Sequence, residues 1–273
     1  MFDEPAQRHC RPDIRSGLFL AIQYKQPELP LKAAMATLEN GGDEVAEHSK
    51  FWGVSPYGRP SQAEVIESQR RRLFLGLSRA VARKGYAAAS VADVLAEVRI
   101  SRRTFYELFT DKEDCFLAAY ELAHGALVHH VRKAQQLQPT ALEQLKAGTC
   151  ADLRFIAAEP ELAQAFMVGI RSAGPRAMQR RAEAHQEFAN MHKGFYQRFR
   201  LEYPQLPTLP DVVFLGLVGG INKMVTTEIE AGRLTQIENL APLMLYMTLS
   251  VYGLGELALS CLAESKANPA EHG

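Results

Sequence analysis

Between Ser90 and Lys112 two short apolar-faced segments follow one another across a very tight turn. Val91, Val94, Leu95 and Val98 recur at i, i+3, i+4 and i+7, and Phe105, Leu108 and Phe109 repeat the pattern after the break. Ser90 and Ser101 each stand just before their segment, where a hydroxyl can accept an unpaired backbone N–H. Helices this short are not stable alone, so both must pack on a third. The preceding run supplies it through Ile66, Leu73, Phe74, Leu77 and Val81. The second short helix then carries basic and hydroxyl residues outward, the layout of a helix-turn-helix DNA reader.

Charge concentrates in the same region. The whole chain is balanced, 31 Lys and Arg against 31 Asp and Glu, which points to no partner by itself. From Gln69 to Lys112, however, ten cations (Arg70, Arg71, Arg72, Arg79, Arg83, Lys84, Arg99, Arg102, Arg103, Lys112) face four acids (Asp93, Glu97, Glu107, Asp111). A basic module inside a neutral chain is the electrostatic footprint of phosphate contact. Basic residues on a short helix are also commonly just a solvated face, and serine-capped helix pairs are frequent in all-α proteins. The full series of spacings from Leu73 to Glu113 favours the DNA reading.

The stretch from about Ser68 to Tyr120, most clearly Ile100 to Asp114, resembles the N-terminal domain of tetracycline-repressor-type (TetR family) transcriptional regulators. The resemblance implies that Ser101 opens a recognition helix, that Arg102, Arg103 and Thr104 meet bases, and that Tyr106 and Lys112 meet phosphates. Arg70 and Ser90 join this expected DNA-binding set. Three positions depart from the family pattern: Arg99 stands at the usual turn glycine, Arg103 at a glycine within the recognition helix, and Leu108 at a frequent histidine. A non-glycine residue forced to positive φ costs roughly 1 kcal/mol, so Arg99 is expected to alter the turn. An arginine at 103 can pair bidentately with a guanine edge.

The rest of the chain reads as helical, with segments at about 62–84, 91–98, 102–108, 111–137, 141–158, 160–171, 175–201, 210–231 and 236–263. Pro139, Pro160, Gly174-Pro175, Pro204, Pro207 and Gly232 mark most breaks. Ser61 to Glu64, Thr110 to Glu113 and Thr140 to Glu143 each fit a capping box. The expected class is all-α: an irregular extension over 1–60, a helix-turn-helix DNA-binding domain over 61–118, a helical ligand-binding and dimerisation domain over 119–264, and a tail over 265–273. In the extension, Ser16 to Tyr24 is too short for a signal peptide, and a later start at Met35 is an alternative. The expected location is the cytoplasm.

Leu240 to Ala263 is the most apolar stretch, nearly long enough to span a bilayer. Glu256 and the lack of flanking basic clusters argue against insertion. A helix apolar all round is more simply buried on two sides. The resemblance implies that the last two helices, 210–231 and 236–263, form a homodimer interface, with Leu217 and Leu245 as representative positions and an inverted-repeat DNA operator as the partner.

Cys10, Cys115, Cys150 and Cys261 are too scattered for a metal site or a disulfide framework. No glycine-rich phosphate loop, nucleophile elbow or zinc-protease motif appears, so no metal, cofactor or enzymatic activity is expected. A small apolar or amphipathic effector is expected between helices 141 to 231. Its wall would comprise Phe155, Phe166, Met167, Ile170, Met178, Phe188, Met191, Phe195 and Phe214, with His185, His192 and Asn222 as polar contacts. The competing reading is that these residues are plain core. At the level of function, the alternative is an all-α small-molecule-binding or catalytic protein whose basic module meets no specific DNA.

Overall fold

The structure, a computed structural model, describes residues 61–267. The expected extension over 1–60 and residues 268–273 of the expected tail lie outside the described residues. Helix α1 (Gln62–Lys84) opens with a reciprocal cap in which Ser61 Oγ accepts the Glu64 N–H and the Glu64 carboxylate accepts the Ser61 N–H. Ser90 and Asp93 make the same exchange ahead of α2 (Val91–Glu97). Ser101 Oγ accepts the Thr104 N–H at 3.0 Å to start α3 (Arg102–Leu108). Leu73, Phe74, Leu77, Val81, Val94, Val98, Phe105 and Phe109 bury together. Ile66, expected in that stripe, is exposed, because the first turns of α1 run past the packed part of the bundle.

Two local features set how α1, α2 and α3 meet. A Cβ at Gly76 would stand 2.8 Å from the Val94 carbonyl oxygen and 3.0 Å from Val98 Cγ1, so only glycine lets the two backbones approach this closely. Between α2 and α3, Val98 turns extended (φ −135°, ψ 128°), and the Ile100 N–H donates to the Val98 carbonyl across Arg99. Arg99, where the family pattern has glycine, thus heads a three-residue turn with its side chain in solvent.

Helix α4 (Lys112–Gln136) is capped by Asp111, whose carboxylate accepts the Asp114 N–H at 2.7 Å. The box expected from Thr110 does not form: Thr110 donates its hydroxyl to Asp114 instead. Helix α5 (Ala141–Ala158) follows its Thr140 cap. The segment read as a single helix over 160–171 is three pieces. Four α residues, Pro160–Ala163, form α6; a π turn, Gln164–Val168, and a 3-10 turn, Gly169–Ser172, follow. Helices α7 (Pro175–Glu202) and α8 (Asp211–Glu230) are continuous.

The stretch read as one helix over 236–263 is also divided. It starts within a 3-10 segment (Leu234–Leu240), continues as α9 (Ala241–Val251), stops at Gly253 with φ 80°, and resumes as α10 (Gly255–Ala267). A glycine in the left-handed region is the usual end of a helix, and the apolar run concealed it. The described helix with the length and hydropathy of a membrane span is therefore α8, and its Phe214, Leu217, Val218, Val225 and Ile229 are buried in the protein. Every described element is helical, so the chain is all-α among its described residues.

One apolar cluster runs without interruption from Leu73 in α1 through Phe116 and Tyr120 in α4 to Phe166, Ile170 and Ala184. A second surrounds Tyr252 and Phe199. The boundary expected at 118/119 falls inside α4, a single helix that belongs to both sides.

Candidate DNA interface and effector cavity

Helix α3 presents Arg102, Arg103 and Tyr106 to solvent because Phe105 and Phe109 take its opposite face into the core. The Arg103 side chain is 88% exposed, with Nε donating to Glu107 Oε1 at 2.8 Å. The Arg102 guanidinium sits 5.5 Å from the Tyr106 ring centre. Thr104 is half-buried, and its hydroxyl lies 2.9 Å from the Ser101 hydroxyl. Arg99 adds a third exposed cation at the start of the helix.

Three expected DNA contacts have other employment. The Arg70 guanidinium lies 4.9 Å from the Phe109 ring centre and shields that core residue. Ser90 spends its hydroxyl on Asp93 at 2.8 Å. Lys112 Nζ donates to the carbonyls of Tyr86 (2.7 Å) and Ala89 (2.6 Å) and rides 4.1 Å over the Tyr86 ring. Partial burial lowers its pKa from the ordinary lysine value. Lys112, read from sequence as a phosphate contact, also clamps the α1–α2 loop. Much of the module's positive charge is also paired internally, Arg83 with Glu97 and Lys84 with Asp93, so the cations left facing outward cluster around α3.

A cavity of about 190 Å³ lies among α4, α5, the π turn, α7 and α8. Phe155, Phe166, Met167, His185, Phe188, Met191, His192, Phe195 and Asn222 stand on its wall. The other three expected wall residues lie elsewhere. Ile170 is fully buried in the cluster shared with α1, Met178 is exposed near the start of α7, and Phe214 packs on Tyr196 with ring centres 5.7 Å apart. Helical spacing identifies an apolar face but not whether a void or a neighbour covers it. Sequence reasoning passed over Tyr120 and His124 of α4, Asp152 of α5 and Arg181 of α7, which also line the cavity. Asp152 was detectable: with Thr149 and Phe155 it forms an i−3, i, i+3 row on one helix face.

The polar wall groups are not equivalent. Arg181 Nη2 donates to Asn222 Oδ1 at 2.8 Å. The Tyr252 hydroxyl donates to the His192 carbonyl at 2.8 Å while lying 3.1 Å from His192 Nδ1. That hydroxyl has one proton, so Nδ1–H must be the donor in the second contact, which leaves Nε2 an acceptor. Burial pushes His192 down to about 4 and also lowers His185, so both rings are neutral near pH 7. Among the described residues Asp152 has no hydrogen-bond partner, and burial raises its carboxyl to about 7.

The cavity touches the DNA-facing module directly. Phe166 on the π turn packs edge-on against Phe116 at 5.2 Å and Tyr120 at 5.9 Å, both on α4. Just past the π turn, a Cβ at Gly169 would stand 2.8 Å from Val81 Cγ1 of α1. Arg79 of α1 reaches Glu161 of α6 at 3.6 Å. Among the described residues no group of three or more His, Cys, Asp or Glu side chains assembles a metal site.

Residues 78–119 match the family described as bacterial regulatory proteins, tetR family. No curated protein matches the sequence. Among solved structures, the chain is similar to the fatty acid degradation regulator FadR from Bacillus halodurans, at 17% identity and a TM-score of 0.58, over 67% of this chain and 97% of that one. FadR from Bacillus subtilis in complex with stearoyl-CoA is similar at 18% identity and a TM-score of 0.59, over 67% and 97%. PfmR from Thermus thermophilus, a TetR family transcriptional regulator, is similar at 20% identity and a TM-score of 0.51, over 66% and 94%. At these identities the likeness concerns the fold.

Proposed function

We propose that this chain, a tetR-family transcriptional regulator by the module it carries at residues 78–119, is a repressor that holds an inverted-repeat operator as a homodimer and lets go when an effector fills the cavity. The module would span 61–118 and the ligand-binding and dimerisation body 119–264, and the protein would act in the cytoplasm. The observation that carries the reading is the shared wall. Phe166 and Tyr120 line the cavity and at the same time belong to the core that positions α1 to α3. A ligand that displaces Phe166 therefore acts on the helix that leads into the DNA-facing module.

On DNA, Arg103 and Arg102 supply the reach for base edges, Thr104 reads from its half-buried position, and Tyr106 fixes the phosphate register, since phosphate contacts position and base contacts specify. The exposed Arg103–Glu107 pair costs little to open, because such pairs contribute about 0.2–1 kcal/mol. One module covers few base pairs, so two must be placed on one duplex by a two-fold axis.

The surface for that axis is the outer face of α8 and α9. Val212, Leu215, Leu243 and Tyr246 are exposed there, and nothing lies within 4 Å of a Cβ at Gly216 or Gly219. Leu217 and Leu245, which the sequence offered as interface positions, are buried in this chain's own core and would report folding instead. The effector is small and apolar or amphipathic. Stearoyl-CoA, seen with one structural neighbour, indicates that this fold accommodates amphiphiles, but a void of about 190 Å³ fits a ring or short chain.

The test selects bound fragments from genomic DNA, measures affinity by fluorescence anisotropy, and screens apolar compounds for thermal stabilisation followed by DNA release. Selection of inverted repeats by a dimer that hits then dissociate is the expected result. A wild-type monomer at micromolar concentration, or stabilising hits that leave DNA affinity unchanged, would overturn it. Leu215→Glu combined with Leu243→Glu should give a folded monomer with lost cooperative binding.

A further inference from the structure

Asp152 is the one acidic group whose place in the cavity the folding of the chain does not explain. It sits mid-helix on α5 and lines the void, and among the described residues no neighbour donates a hydrogen bond to it. Desolvating a carboxylate without a partner is costly. Desolvation raises its carboxyl well above the ordinary range. The other titratable groups on the wall are Tyr120 and His124 from α4, Glu159 at the end of α5, and Arg181, His185 and His192 from α7. Arg181 is engaged by Asn222, and His192 offers an acceptor rather than a charge. The wall it belongs to is rich in aromatic and apolar side chains, with Phe155 on the same helix face, Phe166 from the π turn and Phe188 from α7.

An unpaired carboxylate in an aromatic enclosure has the chemistry of a cation site: the acid supplies the counter-charge, and ring faces attract a positive centre within about 6 Å. We infer that the cavity selects a lipophilic cation, a compact apolar or aromatic body carrying one quaternary or protonated nitrogen, held by the Asp152 carboxylate. This rests on the reading of the cavity as the effector site. Its size agrees, since about 190 Å³ exceeds the ~150 Å³ engineered void that holds a benzene ring. The same carboxylate repels fatty acids and other anions, which leaves Arg181 as the place where an anionic ligand would have to bind instead.

Three probes of matched size separate these cases in titration calorimetry with the full chain: benzyltrimethylammonium, its uncharged carbon isostere neopentylbenzene, and phenylacetate. At pH 8 the cation should bind at least tenfold more tightly than the isostere, and phenylacetate should bind weakest. Asp152→Asn, which keeps the side-chain shape, should bring the cation to within about twofold of the isostere while leaving isostere binding intact; the retained isostere binding also shows that the variant is folded. Because the cation's charge is fixed and the Asp152 carboxyl loses its proton near pH 7, its affinity should rise roughly tenfold from pH 6 to pH 8. Neopentylbenzene should show no such rise, which controls for the histidines. Phenylacetate binding as tightly as the cation, or an unchanged preference for the cation in Asp152→Asn, overturns the inference and leaves the cavity reading standing. If none of the three binds, the cavity is not an effector site and both readings fall.

Discussion

Replacing Lys112 by Met separates a DNA contact from a structural clamp. The substitution keeps most of the apolar stem that lies over Tyr86 and removes the ammonium that donates to the Tyr86 and Ala89 carbonyls. Hydrogen bonds to charged groups contribute about 1.5–3 kcal/mol each. Lys112 is only partly buried, so the lower end applies to both bonds and the loss should be about 3 kcal/mol. For a domain of this size each kcal/mol lowers Tm by about 2–4 °C, which places the expected shift at about 6–12 °C. Thermal and urea denaturation measure it directly. If Lys112 instead neutralised a phosphate, the slope of log affinity against log salt would fall by about 0.9 per contact, and stability would hardly change. The clamp therefore predicts lower Tm with an unchanged salt slope when binding is measured well below the transition. A Tm within 1 °C of wild type together with a slope reduced by about one would refute this reasoning.

Gly76→Ala should destabilise the N-terminal module by about 1–3 kcal/mol, the usual cost of overpacking, because its Cβ would meet the Val94 carbonyl; unaltered urea midpoints would show that α2 can shift freely. Asp152 gives a pH signature. Its carboxyl is raised in the fold to about 7 from the ordinary 3.8, so the folded state favours the protonated acid, and stability falls as pH rises from about 4 to about 7. Asp152→Asn should thus match wild type in Tm at pH 4 and exceed it at pH 8, with an upper bound of about 4 kcal/mol; a difference independent of pH would place the carboxyl in water. Phe166→Leu should leave operator affinity within a few-fold of wild type while weakening effector-driven release by tenfold or more, measured as the shift in DNA affinity at saturating effector. Undiminished release in this variant would move the coupling elsewhere.

The three-helix module was legible because its information is local. Serine caps at 61, 90 and 101 and apolar repeats at fixed spacing dictate the helices, and the observed bounds follow them closely. The breaks at Gly253 and within 164–172 were hidden because apolar composition continues across them, and no proline stands at either break. Roles were less legible than positions. Lys112, Arg70 and Ser90 look like any basic or hydroxyl residue on a DNA-binding module, yet their partners are two loop carbonyls, an aromatic ring and a carboxylate, none of which spacing reveals. In the cavity, aromatic spacing indicated much of the wall, and the row Thr149, Asp152 and Phe155 offered Asp152 as well, but only the fold shows what that carboxylate lacks.

Transmission from cavity to DNA needs a rigid element that both sites grip, and α4 meets that condition. Its first turn is held by Arg176 of α7, at 3.7 Å from Glu113 and 3.6 Å from Asp114. Its middle carries Phe116 and Tyr120 against Phe166, and Lys112 at its start fastens the loop into α2. The π turn under Phe166 holds one residue more per turn than an α-helix, an arrangement found mostly as single turns at functional sites. Returning it to regular helix would rotate Phe166 and Met167 relative to α4 and move Gly169 against Val81, where there is no slack. A hundredfold drop in DNA affinity requires the effector to prefer the altered arrangement by about 2.7 kcal/mol. Displacing one buried phenyl ring from a close-packed wall exchanges energies of that order, so under the proposed function a single compact ligand beneath Phe166 would be enough to work the switch.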